Sequence, residues 1–336
     1  MTKLLESPGC DTKNIGDHIR TSVISAILNG GVSVGYKQLN LIASKKELAL
    51  VMSIEFDDFQ HLHQNDDESD YYFSVSDAIF IEANVNDHMV TISIAGYNTN
   101  IESVVWALTN RFDGAASYVR WVYNSEYLDS MNVAVPAKNL PFTEMYPWLN
   151  GETLSAYYDR FIESDASILV LLGQPGTGKT SFLRGLLHHT KQNAILTYHT
   201  KLLDKDEFFA EWFRSTKENI VIIEDADTLL APRNDGNNMM QRFLNLGDGL
   251  LSFKGKKMIF TTNLPSVASI DDALMRPGRC HDVIDFKKLE YDQAQTVCEI
   301  SGVDVPTDVK PYTIAELFSD VKTRKSPTSH KSFGFI

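Results

Sequence analysis

Apolar residues recur along this chain in two rhythms. Ile19, Val23, Ile24, Ile27 and Leu28 fall at helical spacing and predict a helix over 15–28, stopped by Asn29-Gly-Gly31. Ser44-Lys-Lys-Glu47 has the form of a capping box and opens a second predicted helix, from Lys45 to about His63. The acidic tract Asn65-Asp-Asp-Glu-Ser-Asp70 breaks that pattern and reads as a solvated loop. Ala78–Val85 and Val90–Ala95 are short runs rich in β-branched residues. The turn formers of Asn84–His88 lie between them, so the pair predicts a hairpin. Thr99-Asn-Ile-Glu102 is a second capping-box pattern, leading into an amphipathic helix from Ile101 to Phe112 that Asp113-Gly114 ends. Tyr118–Tyr123 and Asn132–Val135 read as strands, with the aromatics Tyr118, Trp121 and Tyr123 as core. Residues 1–135 are therefore expected to form a small α/β domain.

Pro136, Pro141 and Pro147 mark residues 136–150 as an extended linker, because each proline disfavours helix in the residue before it. The rhythm then becomes strand, helix, strand, helix. Leu154–Ile162 predicts a helix, and Ile168–Leu172, Ala194–His199, Ile220–Ile223 and Met258–Thr262 predict buried strands. Such alternation implies a parallel sheet covered by helices over 151–288. Tyr291–Ser301 and Ile314–Val321 make 289–336 a short helical lid followed by a tail, Lys322-Thr-Arg-Lys325 to Phe333-Gly-Phe-Ile336.

Composition narrows the function classes. The 336 residues suit about two domains, and 43% hydrophobic content supplies a sizeable core. A net charge of −13 argues against indiscriminate nucleic-acid binding, which draws its affinity from lysine and arginine. Cys10, Cys280 and Cys298 are odd in number and lack C-x-x-C spacing, so a reducing cytoplasm is expected. No apolar run approaches the roughly 18 residues of a membrane span, and 1–16 lacks a signal-peptide pattern.

The chemistry centres on Gly173-Gln174-Pro175-Gly176-Thr177-Gly178-Lys179-Thr180, which follows the apolar run Ile168–Leu172 and precedes a helix-capable segment beginning at Ser181. That is G-x-x-x-x-G-K-[ST] between a strand and a helix. The glycines let backbone N–H groups approach phosphate oxygens at a helix N-terminus. Lys179 would reach the β- and γ-phosphates of ATP, and the Thr180 hydroxyl would bind Mg²⁺. Ile220–Asp227 is an apolar strand ending in carboxylates. Read against the usual Asp-Glu order, Glu224 takes the metal position and Asp225 the catalytic one. Asn263, at the end of the Met258 strand, is placed to sense the γ-phosphate or the attacking water. His188-His189 lacks an H-E-x-x-H pattern and reads as helix surface.

The order Gly173–Thr180, Glu224-Asp225, Asn263 and Asp271-Asp-Ala-Leu-Met-Arg276-Pro-Gly-Arg279 resembles the AAA family of ring ATPases, in which two arginines of a neighbouring subunit act as fingers on the γ-phosphate. The resemblance implies that role for Arg276 and Arg279 and covers about Tyr146–Phe286. Cys280-His281 departs from the family's usual Phe-Asp. The inverted Glu224-Asp225 pair and Phe243–Gly249 look most like the mitochondrial complex III assembly ATPases and their viral and bacterial relatives. The resemblance implies a P-loop NTPase core with helices on both faces of its sheet, and a homo-oligomeric ring, hexameric or heptameric. The resemblance does not reach residues 1–135; the leading reading is that the ring remodels a protein partner, as a chaperone does, with residues 1–135 choosing that partner, in a bacterial or virus-infected cell. A nucleic-acid machine and a nucleotide-gated assembly scaffold are the alternatives. Tyr198–Asp206 lacks the aromatic-apolar-Gly loop of threading family members, and Phe208, Phe209, Trp212 and Phe213 are spaced as a packing face. Residues 1–135 are expected to be removable without loss of nucleotide binding, and the polar loop Pro232–Asn238 to touch a partner.

Overall fold

The computed structural model describes residues 21, 25 and 35–319, apart from 57, 65–68, 75–77, 87–88, 124–127, 138, 233–254 and 277. Of the predicted helix over 15–28 only Thr21 and Ser25 are described, both helical; the Phe243–Gly249 stretch, most of the Pro232–Asn238 loop and the tail from Lys322 lie outside the described residues. Two compact units are formed, and both are discontinuous in sequence. The first contains 1–140, 184–224 and 253–259, and the second 141–183, 225–252 and 260–336.

The first unit holds strands β1 (Gly35–Ile42), β2 (Gln60–Gln64), β3 (Ser69–Ser74), β4 (Ile79–Asn86), β5 (Met89–Gly96), β6 (Asp113–Val122), β7 (Ser130–Pro136), β9 (Asn193–Thr197) and β10 (Glu218–Ile223). Their order is β10-β9-β6-β1-β5-β4-β3-β2, with β7 alongside β6. The β4–β5 hairpin is antiparallel, as its pattern predicts. Helices α1 (Lys45–Glu55) and α2 (Asn98–Arg111) bury Leu48, Met52, Ile101, Val104 and Leu108 with Ile79, Ile81, Ile92 and Ile94 of the strands. The alternate positions Tyr71, Phe73 and Phe80 form a separate cluster, as the two-residue period of a strand requires.

Three local expectations change. The Ser44 capping box forms, but α1 ends at Glu55 with Phe56 as its C-cap, and residues 60–64 become β2 by pairing with β3. Asp70, expected in a solvated loop, lies in β3 with only 2% exposure and pairs with Lys45 and His61. Burial demands such partners for a carboxylate. The second capping box does not form: α2 starts at Asn98 with Tyr97 as N-cap, and the Thr99 hydroxyl turns to the Asn100 side chain.

β6 is the junction. It pairs antiparallel with β1 and β7, and parallel with β9 through Val119↔Ala194 to Trp121↔Leu196. Side chains reinforce this junction. The Tyr118 hydroxyl donates to Glu218 at 2.7 Å, Arg120 pairs with Glu211, and the Asn193 side chain accepts from the Tyr118 N–H. Burial of Phe208, Phe209 and Trp212 on α5 (Asp206–Arg214) matches the packing face read from their spacing.

The second unit contains α3 (Leu154–Glu163), β8 (Ile168–Gly173), β12 (Cys280–Phe286), and the helices α6 (Asp227–Leu230), α7 (Tyr291–Ser301) and α8 (Ile314–Phe318). β12 lies parallel to β8. β8 neighbours β11 (Lys257–Thr262) on its other side. Every residue of β8 and β11 is buried, the expected state of central strands covered on both faces. In the proline-rich linker, two single turns of 3₁₀ helix, Thr143–Met145 and Pro147–Leu149, replace continuous extension.

Candidate active site

β8 ends at Gly173 and α4 (Lys179–Thr190) begins six residues later. Two glycines in between are obligatory on geometric grounds. A Cβ on Gly173 would lie 2.3 Å from the Phe286 backbone carbonyl oxygen, which cannot yield, whereas one on Gly178 would meet the movable tip of Ile314 at 2.7 Å, so its constraint is the backbone angle. Both glycines also have positive φ, 149° and 99°, which side chains disfavour. The buried Thr177 hydroxyl donates to the Gln174 carbonyl at 2.7 Å and tightens the turn. Gln174, Pro175, Gly176 and Thr180 are exposed, and Ser181 is half-buried.

Tyr146, outside the motif, supports the loop from behind. Its ring is buried edge-on against Phe182 and Phe286, and its hydroxyl donates to the Gly178 carbonyl at 3.2 Å. From the other side the Ala315 N–H donates to the Gly176 carbonyl at 3.0 Å. No spacing rule announces either contact. The nearest sequence signal for Tyr146 is its place in an aromatic pair with Trp148 just before the core.

Lys179 Nζ donates to the carbonyls of Gly173 and Gln174 and, at 3.0 Å, to Asn263 Oδ1. Asn263 Nδ2 donates to Asp225 Oδ1 at 3.2 Å. Three predicted site residues, separated by up to 84 positions, thus form one chain of hydrogen bonds. Its polarity is self-consistent, because an ammonium can only donate and a carboxylate only accept, which fixes the orientation of the amide between them.

The residues after β10 are clamped to β11. Asp225 has left-handed φ of 53°, uncommon for a residue with a side chain, and its N–H donates to the Thr261 hydroxyl at 3.3 Å. The Ala226 N–H donates to the Thr261 carbonyl at 2.9 Å. Glu224 is half-buried, and its N–H donates to the Thr197 carbonyl at 3.2 Å. Arg276 is exposed, whereas Arg279 is half-buried and donates through Nη1 to the Ala273 carbonyl of its own loop at 3.0 Å. Cys280 and His281 sit at the start of β12. The thiol donates to the Asp282 carbonyl, burial pushes its pKa up to about 12, and His281 accepts from Arg160 at 2.9 Å.

The donor set suits a magnesium nucleotide. The exposed Thr180 hydroxyl beside Lys179 is a hard oxygen donor, the kind Mg²⁺ takes.

Residues 169–288 match the model of the ATPase family associated with various cellular activities (AAA). A 26S proteasome regulatory subunit 8 of Caenorhabditis elegans is 31% identical over 136 residues, which is 35% of this chain and 32% of that protein. The Schizosaccharomyces pombe homologue is 31% identical over 137 residues, 35% of this chain and 33% of its own length. Protein CdcH of Halobacterium salinarum is 28% identical over 171 residues, 46% of this chain and 23% of CdcH. The chain therefore spans about a third or less of the length of these curated relatives. Residues 169–288 are an AAA ATPase domain with the mixed α/β fold of a P-loop NTPase.

Proposed function

We propose that this chain is an ATP-hydrolysing subunit of an AAA-type ring that remodels or assembles a protein partner. The observation that carries the reading is the hydrogen-bonded chain Lys179–Asn263–Asp225 beside a complete phosphate loop. In the ground state the Lys179 ammonium compensates phosphate charge, exchanging its carbonyl partners for phosphate oxygens. The exposed Asp225 carboxylate orients and deprotonates the attacking water, and Asn263 holds that carboxylate and Lys179 in one geometry. Thr180 and Glu224 would hold Mg²⁺, which would supply positive charge to offset that of the phosphates. Arg276, exposed on its loop, and Arg279 act on the γ-phosphate of a neighbouring subunit in a hexameric or heptameric ring.

Residues 1–135 select the client, and the site of action is cytoplasmic, a reading that rests on the cysteine usage. The Glu224-Asp225 order supports a place near the complex III assembly ATPases and their viral and bacterial relatives. The proteasome regulatory subunits among the relatives support protein rather than nucleic acid as the partner, as does the net charge of −13.

The test separates binding from chemistry. Lys179→Ala should abolish ATP binding in a nucleotide titration, whereas Asp225→Asn should bind ATP and release no phosphate. Asp225→Asn held in its ATP state should then capture the client. If Glu224→Gln gives the bound, inactive state instead, the roles of the two carboxylates are exchanged.

A further inference from the structure

Asp227 is the third carboxylate after β10, and its position differs in kind from that of Glu224 and Asp225. A single oxygen, Oδ1, accepts from two consecutive residues at the end of β11: the Thr262 hydroxyl and, at 2.8 Å, the Asn263 backbone N–H. The Thr262 hydroxyl oxygen in turn accepts from the Leu264 N–H at 3.1 Å, turning the chain immediately after Asn263. The clamp is reciprocal. Thr261 takes the N–H groups of Asp225 and Ala226, while Asp227 takes Thr262 and Asn263.

We infer that Asp227 is a positioning residue for ATP hydrolysis, acting through Asn263: it sets the backbone from which the Asn263 amide spans Lys179 and Asp225. The inference rests on the hydrolytic reading above. Its physical basis is the contrast between the two ends of Asn263. The side chain is exposed and makes one hydrogen bond to each neighbour, at 3.0 and 3.2 Å, so little packing holds it. The backbone, by contrast, is held by a charge-assisted hydrogen bond, roughly twice as strong as a neutral one. Asp227 is rigidly placed for this task. It opens α6, whose Leu229 and Leu230 are buried, and the Leu230 carbonyl accepts from the Asp271 N–H at 2.9 Å. Without the clamp the amide loses its fixed origin, and displacement of a positioning group by about 1 Å costs on the order of 10²-fold in rate.

The experiment is a steady-state ATPase cycle on the full chain with Asp227→Ala, Asp227→Asn, Asn263→Ala and the Asp227→Ala/Asn263→Ala pair, with ADP affinity measured alongside. Asp227→Ala should lower kcat by roughly 10²-fold with KM and ADP affinity within about threefold of wild type. Asp227→Asn keeps an acceptor oxygen and should recover most of the rate. The double variant should be no slower than Asn263→Ala alone, because Asp227 works through that residue. A merely structural role would instead multiply the two losses and lower ADP affinity. Unchanged kcat in Asp227→Ala, or multiplied losses, overturns the inference. If Asp227→Ala fails to fold, the Asp227→Asn rate and its pairing with Asn263→Ala carry the same decision. Should the wild-type chain release no phosphate, the hydrolytic reading falls by itself. The positioning claim is then judged by the Asn263 side-chain amide resonance of ¹⁵N-asparagine-labelled protein: a shift in Asp227→Ala or Asp227→Asn sustains it, and an unmoved resonance overturns it.

Discussion

Lys179 and Asn263 meet at 3.0 Å, joining the first residue of α4 to the residue that follows β11. This contact ties the phosphate-binding lysine to the carboxylate side of the site, since the same amide also reaches Asp225. Substitutions at Asn263 should therefore affect chemistry more than binding. Asn263→Ala should lower kcat by about 10²-fold at little change in KM, as expected of a group that orders the reacting geometry. Asn263→Asp should be slower still, because it replaces a donor to Asp225 with a second negative charge. A kcat for Asn263→Asp above that of Asn263→Ala would contradict the amide orientation.

The two arginines should separate in their effect on stability. Arg279 donates to the Ala273 carbonyl, so Arg279→Ala should cost about 0.5–1.5 kcal/mol in denaturant unfolding, whereas exposed Arg276→Ala should cost almost nothing. Both should reduce turnover severely if they complete a neighbour's site, by roughly 10³-fold or more. Mixing the Arg276→Ala/Arg279→Ala double variant with Lys179→Ala should restore part of the activity, since some interfaces then hold both intact halves. No recovery in confirmed mixed assemblies would exclude a shared site.

Tyr146 should act through the shape of the phosphate loop. Tyr146→Phe keeps the edge-on packing on Phe182 and Phe286 and loses the hydrogen bond to Gly178, a change of about 0.5–1.5 kcal/mol. Tyr146→Ala removes a fully buried ring and should cost about 3–5 kcal/mol. Urea unfolding curves with and without ADP distinguish the two. Equal losses would mean that the ring contributes nothing beyond its hydroxyl.

Glu218 predicts an acid-sensitive junction. Burial pushes its pKa up, but hydrogen bonds from Ser215 and Tyr118 and the charge of Arg120 outweigh this and leave it below the ordinary 4.5. A carboxylate lowered in the folded state stabilises the fold above its unfolded value, and that contribution is lost as pH falls through the folded value. Glu218→Gln should thus be less stable than wild type at neutral pH, with the gap closing as pH drops below about 4.5. A gap that widens on acidification would reverse the sign of the argument.

Deleting residues 1–135 should damage the nucleotide domain, contrary to the expectation that this segment is removable. The deletion takes β6 from the side of β9 and removes Tyr118 and Arg120 from Glu218. The expected outcome is a truncated protein with lower solubility and weakened ADP binding. Full-strength binding by a soluble 136–336 fragment would show that β9 does not need β6.

Local features were legible from the residues themselves. The strand-turn-helix of Ile168–Thr190 could be read because its apolar run, glycines and lysine are contiguous, and each acts over a few residues. The β4–β5 hairpin and α3 were equally plain, since periodicity and turn formers are short-range signals. The candidate residues of the site could be named from the order of carboxylates, an amide and arginines after a phosphate loop. Only the tertiary structure decided which of them meet. Asn263 touches Lys179 across 84 positions, and Asp227 rather than Asp225 receives the Asn263 backbone N–H. Spacing along the chain carries no information on such pairings. Residues 60–64 show the same limit. Their helical reading yields to β2 because β3 supplies hydrogen-bond partners that a local pattern cannot reveal. β6 was readable as a strand but not as the neighbour of β9, for a strand's partner is chosen by burial and by side chains such as Tyr118 and Glu218 that approach each other only after the chain has folded.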